Sequence, residues 1–198
     1  QQSLYIIWNS GDSENPYMNE VTSQYPPKNP IESAGQNMPT FADLDGDGDE
    51  DLFVTVLSGA FGNQLVNNFY HYENVGTSMD PTYEYKTNNY FSMLDLFSNS
   101  SPEFADLDGD GDLDLCIANQ YDLSSTPWVG RIYFFQNNGD DSNPIYVEKS
   151  SSLEGENMGQ MLSPAFGDLD GDGDPDLMLG DFNGFIQYFE NVSLNDEF

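Results

Sequence analysis

The chain has 198 residues and a formal net charge of −31, with 35 Asp and Glu against four Lys and Arg. So acidic a surface repels phosphate backbones and anionic bilayers, which excludes nucleic acid and anionic membrane surfaces as partners, although the same surplus would also suit a halophilic protein. Apolar residues make up 37% and aromatics 14%, enough to cover the faces of several sheets, and no apolar stretch approaches the about 20 residues of a membrane span.

In chain order, the first element is a strand over Leu4–Asn9, followed by a turn over Gly11–Tyr17. A short segment from Pro39 to Phe41 then leads into an Asp-rich loop. After the loop come an apolar run, Leu52–Leu57, an aromatic run ending in Asn, Phe69–Asn74, and a run led by proline, Pro81–Tyr85. The same order returns as Pro102–Phe104, Leu115–Ala118, Ile132–Asn137 and Pro144–Glu148, and again as Pro164–Phe166, Leu177–Gly180 and Phe185–Asn191. Short length, aromatic and β-branched content and dense turn signals make these runs strands, and no stretch carries a 3.6-residue period. The predicted fold class is all-β, with four antiparallel strands per repeat, the form of a β-propeller blade. Leu4–Asn9 aligns with Ile132–Asn137, so the chain opens on the third strand of a unit. Residues 1–38 are then strands 3 and 4 of a first blade with a connecting loop, 39–100 and 101–161 are full blades, and 162–198 are strands 1 to 3 of a last blade.

The loops carry the chemistry. Phe41–Leu52, Phe104–Leu115 and Phe166–Leu177 are nearly the same twelve residues, with first aspartates at 43, 106 and 168. Counting from those, Asp alternates at positions 1, 3, 5, 7 and 9: Asp43, Asp45, Asp47, Asp49 and Asp51; Asp106, Asp108, Asp110, Asp112 and Asp114; Asp168, Asp170, Asp172, Asp174 and Asp176. Five like charges this close repel unless a cation lies among them. Ca²⁺ accepts six to eight oxygens at about 2.3–2.6 Å in tolerant geometry, and Gly48, Gly111 and Gly173 at position 6 permit the sharp turn that wraps an ion. By that logic side chains at positions 1, 3, 5 and 9 and a backbone carbonyl at position 7 are the donors, leaving the Asp49, Asp112 and Asp174 side chains as spectators. Mg²⁺ fits less well because it keeps several waters, and no His or Cys in the loops offers zinc or copper a ligand. An EF-hand needs Glu at position 12, where Val54, Ile117 and Leu179 stand instead. Acidic, solvated turns are the plain alternative, and three copies in register, each between Phe and an apolar run, weigh against it.

Phe-Ala-Asp-Leu-Asp-Gly-Asp-Gly-Asp-x-Asp-Leu, with a later aromatic strand ending in Asn, resembles the FG-GAP/VCBS repeats of integrin α-subunit propellers and bacterial surface proteins. The resemblance covers essentially the whole chain. It implies one Ca²⁺ per loop, about three in all, between the first and second strands of each blade. It carries over to Asp43, Asp45, Asp47 and Asp51, to Asp106, Asp108, Asp110 and Asp114, and to Asp168, Asp170, Asp172 and Asp176. It also implies ligand binding on the opposite face, through the strand 2–3 and 4–1 connections. Family propellers close with about seven blades, and about three are present here. The expectation is either an excerpt of a longer propeller or completion by other copies, as a six-bladed ring or a filament.

Nothing in the sequence builds an enzyme. His71 is the single histidine and falls in a predicted strand, no nucleophile elbow or triad is visible, and the aspartates are accounted for by metal. Cys116, also alone, reads as a small buried hydrophobe. A non-catalytic module for adhesion or recognition is the expectation, with a self-assembling structural protomer, or the non-catalytic part of a secreted polysaccharide-active enzyme, as alternatives. Tyr90, Tyr121 and Trp128 lie in the variable connections among Asn, Ser and Gln, a composition suited to a protein or glycan surface; packing of the loops is their bland role. Loops of this kind fill at the calcium levels found outside cells, which gives an extracellular or cell-surface location. Asn99 and Asn191 begin glycosylation sequons.

Overall fold

The computed structural model describes residues 4–26, 28, 37–56, 68–91, 100–120, 126–140, 142–150 and 158–192. Thirteen strands and no helix occur among them. The first sheet pairs β1 (Leu4–Asn9) with β2 (Met18–Tyr25). The second runs β3 (Asn37–Ala42), β4 (Asp51–Val56), β5 (Phe69–Asn74), β6 (Tyr83–Thr87) in simple order, and the third repeats it with β7 (Ser101–Ala105), β8 (Asp114–Ala118), β9 (Ile132–Asn137) and β10 (Tyr146–Ser150). The fourth holds β11 (Ser163–Gly167), β12 (Asp176–Gly180) and β13 (Ile186–Phe189). Every pairing within these sheets is antiparallel. These are four-stranded propeller-type blades flanked by partial ones, as the repeats predict, and they do not close into a barrel.

The strand period of two decides how the sheets stack. Leu52 and Val54 of β4 point back to the first sheet, clustering with its Tyr25 and with Tyr72 and Tyr83 of their own sheet. Phe53, between them, points forward and joins Leu115, Ile117 and Phe135 of the third sheet. The same division recurs one blade on: Cys116 and Ala118 face forward and pack with Leu162, Leu177 and Leu179. Second strands are therefore apolar on both faces and mostly buried, β8 at all five positions. Cys116 is fully enclosed and its thiol is pushed up by burial, the behaviour of a small core residue. The first strands β3, β7 and β11 neighbour one another, so the blades lean together along that side.

Fourth strands begin two residues later than the proline-led runs suggest, at Tyr83 and Tyr146 rather than Pro81 and Pro144. The Asn that ends β5 and β9 explains the shift. Asn74 Oδ1 accepts from the backbone N–H of Gly76 at 3.1 Å and Thr82 at 2.9 Å, and Asn137 Oδ1 does so from Gly139 and Ile145. The prolines, having no N–H, sit inside the turn this closes. A side chain at Gly139 would collide with the backbone carbonyl of Asn143, so only glycine fits there.

Candidate metal centres

Each Asp loop joins the first strand of a blade to the second. Its turn depends on glycine at two places: Gly46 and Gly48 have φ of 69° and 93°, Gly109 and Gly111 76° and 99°, Gly171 and Gly173 86° and 104°. Within this frame the carboxylate at position 1 folds inward. Asp43 accepts from Gly46 N at 2.9 Å and Gly48 N at 3.0 Å, Asp106 from Gly109 and Gly111, and Asp168 from Gly171. Positions 3 and 5 each accept one backbone N–H two residues on, leaving their second oxygens for other partners.

Position 9 is the anchor. Asp51, Asp114 and Asp176 are 3%, 1% and 1% exposed at the head of their strands. Each accepts the backbone N–H of an Asn, at the end of β5 and β9 and two residues past β13: Asn74 at 2.8 Å, Asn137 at 2.8 Å, Asn191 at 2.9 Å. Asp114 and Asp176 also take the N–H of Leu107 and Leu169, across the loop. Burial holds Asp114 up at about 6 despite these bonds. In Asp176 the Asn191 bond outweighs burial, and with Leu169 N–H and the Tyr188 hydroxyl it keeps the carboxyl below its ordinary value.

The result is three clusters of converging oxygens: Asp43, Asp45 and Asp47; Asp106, Asp108 and Asp114; Asp168, Asp170 and Asp172. Each group offers carboxylate oxygens within 4.8 Å of one another. Two oxygens on one Ca²⁺ lie at most about 5 Å apart, twice the bond length, so such a set can share a single ion. Donors that are all oxygen, and mostly charged, match a hard cation rather than zinc or copper. Asp51, Asp110 and Asp176 lie outside these groups, though in the same loops. Among the position-7 residues, Asp112 and Asp174 are half-buried, whereas Asp49 is buried with Oδ1 lacking any hydrogen-bond partner.

Several side chains that serve the loops escaped sequence reasoning. The Tyr83 and Tyr146 hydroxyls donate to the carbonyls of Glu50 and Leu113 at position 8, both at 3.3 Å. They recur at one register and could have been found by aligning fourth strands. His71 Nε2 lies 3.2 Å from Asp51 Oδ2, with its ring stacked on Phe53 at 4.5 Å. Gln136 meets Asp108, and Tyr188 donates to Asp176 at 3.1 Å. His, Gln and Tyr share no pattern, so the repeats conceal this shared duty.

Of the predicted ligand-face residues, Tyr121 lies outside the described residues, as does Asn99 of the first sequon. Tyr90 packs its ring on Phe53, His71 and Phe69 at 5.0, 5.2 and 5.8 Å, within the core between the second and third sheets. Trp128 is 54% exposed, and Gln160 links its carbonyl to Phe182 N, itself on an exposed turn. Asn191 gives its backbone N–H to Asp176.

The profile of FG-GAP-like repeats matches residues 43–117 and again residues 106–179, together more than half of the chain. The chain belongs to the FG-GAP-like repeat family. Each match runs from one Asp loop through the second strand of the next blade, so the FG-GAP unit straddles the seam between sheets. No curated protein and no solved structure matches the chain.

Proposed function

We propose that this FG-GAP chain is a calcium-stabilised, non-catalytic recognition module that works outside the cell or at its surface, binding protein or glycan. The observation that carries the reading is the convergence of carboxylate oxygens within 4.8 Å in three loops of identical placement. Asp43, Asp45 and Asp47 with Asp51, and their counterparts in the other two loops, would hold the ions, position 7 adding its carbonyl. A bound Ca²⁺ neutralises the loop's mutual repulsion and fixes first strand to second. A site filled only in the folded state adds about 2.7 kcal/mol at a hundredfold excess of free ion over Kd. FG-GAP modules often bind proteins, and exposed Trp128 and Phe182 beside Gln160 offer apolar faces next to an amide. Thermal unfolding in millimolar CaCl₂ and in excess EDTA tests the calcium reading: the melting temperature is expected to fall sharply on chelation, and an unchanged melt rejects it.

A second reading, assembly of copies through blade faces, is favoured by the outward faces of the end sheets. Tyr5 and Ile7 of β1 are 66% and 54% exposed, and Ile186 and Tyr188 of β13 are 69% and 46%. Their strand neighbours pack inward on the adjacent sheet. A dimer or polymer by light scattering in CaCl₂ that dissociates in EDTA supports assembly, whereas a monomer in both rejects it.

A further inference from the structure

We propose that copies of this chain join head to tail: the outward face of the fourth sheet, with Leu169, Ile186 and Tyr188, seats on the outward face of the first sheet of a second copy, with Tyr5, Ile7 and Met18. This rests on the assembly reading above and adds the contact's polarity. Register carries it. Third strands lay alternate side chains on their two sides. Ile132 and Phe134 of β9 pack forward, with Leu177, Leu179 and Phe189 of the fourth sheet. Tyr133 and Phe135, between them, pack back, with Leu44, Phe53 and Phe69 of the preceding blade. β5 divides the same way, Phe69 forward and Tyr70 and Tyr72 back, clustering with Leu4, Ile6 and Trp8 of β1. Each fourth strand of the two full blades adds a backward ring, Tyr83 and Tyr146. Among the described residues, every seam therefore joins a forward face to a backward one.

The two outer sheets carry the two halves of that seam apart. Ile186 and Tyr188 stand at the register of Ile132 and Phe134, and Tyr5, Ile7 and Met18 at the register of Tyr133, Phe135 and Tyr146. All five are exposed, Met18 at 60%. The loops repeat the contrast: Leu169 at position 2 is 56% exposed, whereas Leu44 and Leu107 at that position are 6% and 8%. What the inner blades bury against a neighbour, the outer sheets thus show to solvent, and a contiguous exposed apolar patch marks a contact surface. The occupant these registers fit is a blade of the same type, and a second copy offers one in the missing orientation. Two forward faces brought together would match no seam in the molecule. A heterologous contact of this kind leads to a closed ring or an open filament, not to a symmetric dimer.

Ile186→Asp and Ile7→Asp each set a charge on one face, at exposed positions, and melting in CaCl₂ checks that both variants keep the fold. Light scattering is read in millimolar CaCl₂ and about 150 mM NaCl, which screens the repulsion between chains of net charge −31. The unsubstituted chain is expected to exceed the monomer mass, increasingly so with concentration. Each variant alone should be a monomer. Mixed together they should form a dimer and nothing larger, since each supplies the face the other has lost. Self-association of either variant alone to the extent of the unsubstituted chain overturns the head-to-tail order and leaves assembly standing. A monomeric unsubstituted chain overturns both. Ile186→Cys and Ile7→Cys read the same contact without a charge, Cys116 being buried. A bifunctional maleimide should link the mixture of these two into heterodimers and leave either alone unlinked; linking of one variant to itself as strongly as in the mixture, or none in the mixture, overturns the proposal.

Discussion

Glu103 lies on β7 at the seam between the second and third sheets, where its carboxylate accepts the Thr40 hydroxyl at 3.4 Å. Burial, the larger cause, lifts its pKa above the ordinary 4.5 against the pull of that bond. A carboxyl whose folded pKa is raised stabilises the fold at pH below its unfolded value and loses that contribution as pH climbs through the folded one. Glu103→Gln keeps a partner for Thr40 without the charge. It is expected to melt above the parent at pH 7, with the gap closing toward pH 4, when both are measured in calcium; a gap that stays constant with pH contradicts this. At this scale the sequence was most legible where chemistry repeats. Asp alternation announced the loops because any cation site of this kind needs oxygens at that spacing. His71, Gln136 and Tyr188 were illegible, because three unlike side chains reach their loops only through the pairing of third strand on second.

Among the elements, the turn between third and fourth strands shows how a repeated Asn holds a blade's edge. Asn137 is 2% exposed and its amide oxygen serves two backbone donors. Asn137→Ala leaves both N–H groups without that partner, at roughly 1–3 kcal/mol for each one that stays dry. Urea unfolding in calcium should show a loss in that range. Asn9→Ala, at the same register on an exposed turn, should cost less, because water can replace the amide; equal losses would mean that burial does not set the cost. This turn also reaches a neighbouring blade, for Ser142 Oγ donates to the Asp45 carbonyl at 3.1 Å. The run of apolar and aromatic residues fixed strand existence and order, and the sheets follow it. Two details were hidden: proline marked the turn rather than the strand, and the contact from Ser142 to a loop 97 residues away depends on how successive sheets stack.

For the molecule as a whole, the question is whether calcium acts at sites or merely as salt. A chain of net charge −31 repels itself, and any cation at sufficient concentration weakens that repulsion. Screening works over the Debye length, about 10 Å at 0.1 M salt, and so acts on charges spread over the surface. Oxygens held within 4.8 Å of one another are inside that length, where mobile ions screen them little and a bound ion neutralises them fully. The two mechanisms therefore separate by concentration. In EDTA, adding 150 mM NaCl should raise the melting temperature modestly, to about the same degree in the parent and in a chain with Asp45→Ala and Asp108→Ala. Without EDTA, a few millimolar CaCl₂ should raise it far more in the parent, and that surplus should shrink in the double variant while the response to NaCl persists. If NaCl matches calcium in the parent, the loops are solvated acidic turns, and the acidity of the chain answers to salinity rather than to calcium.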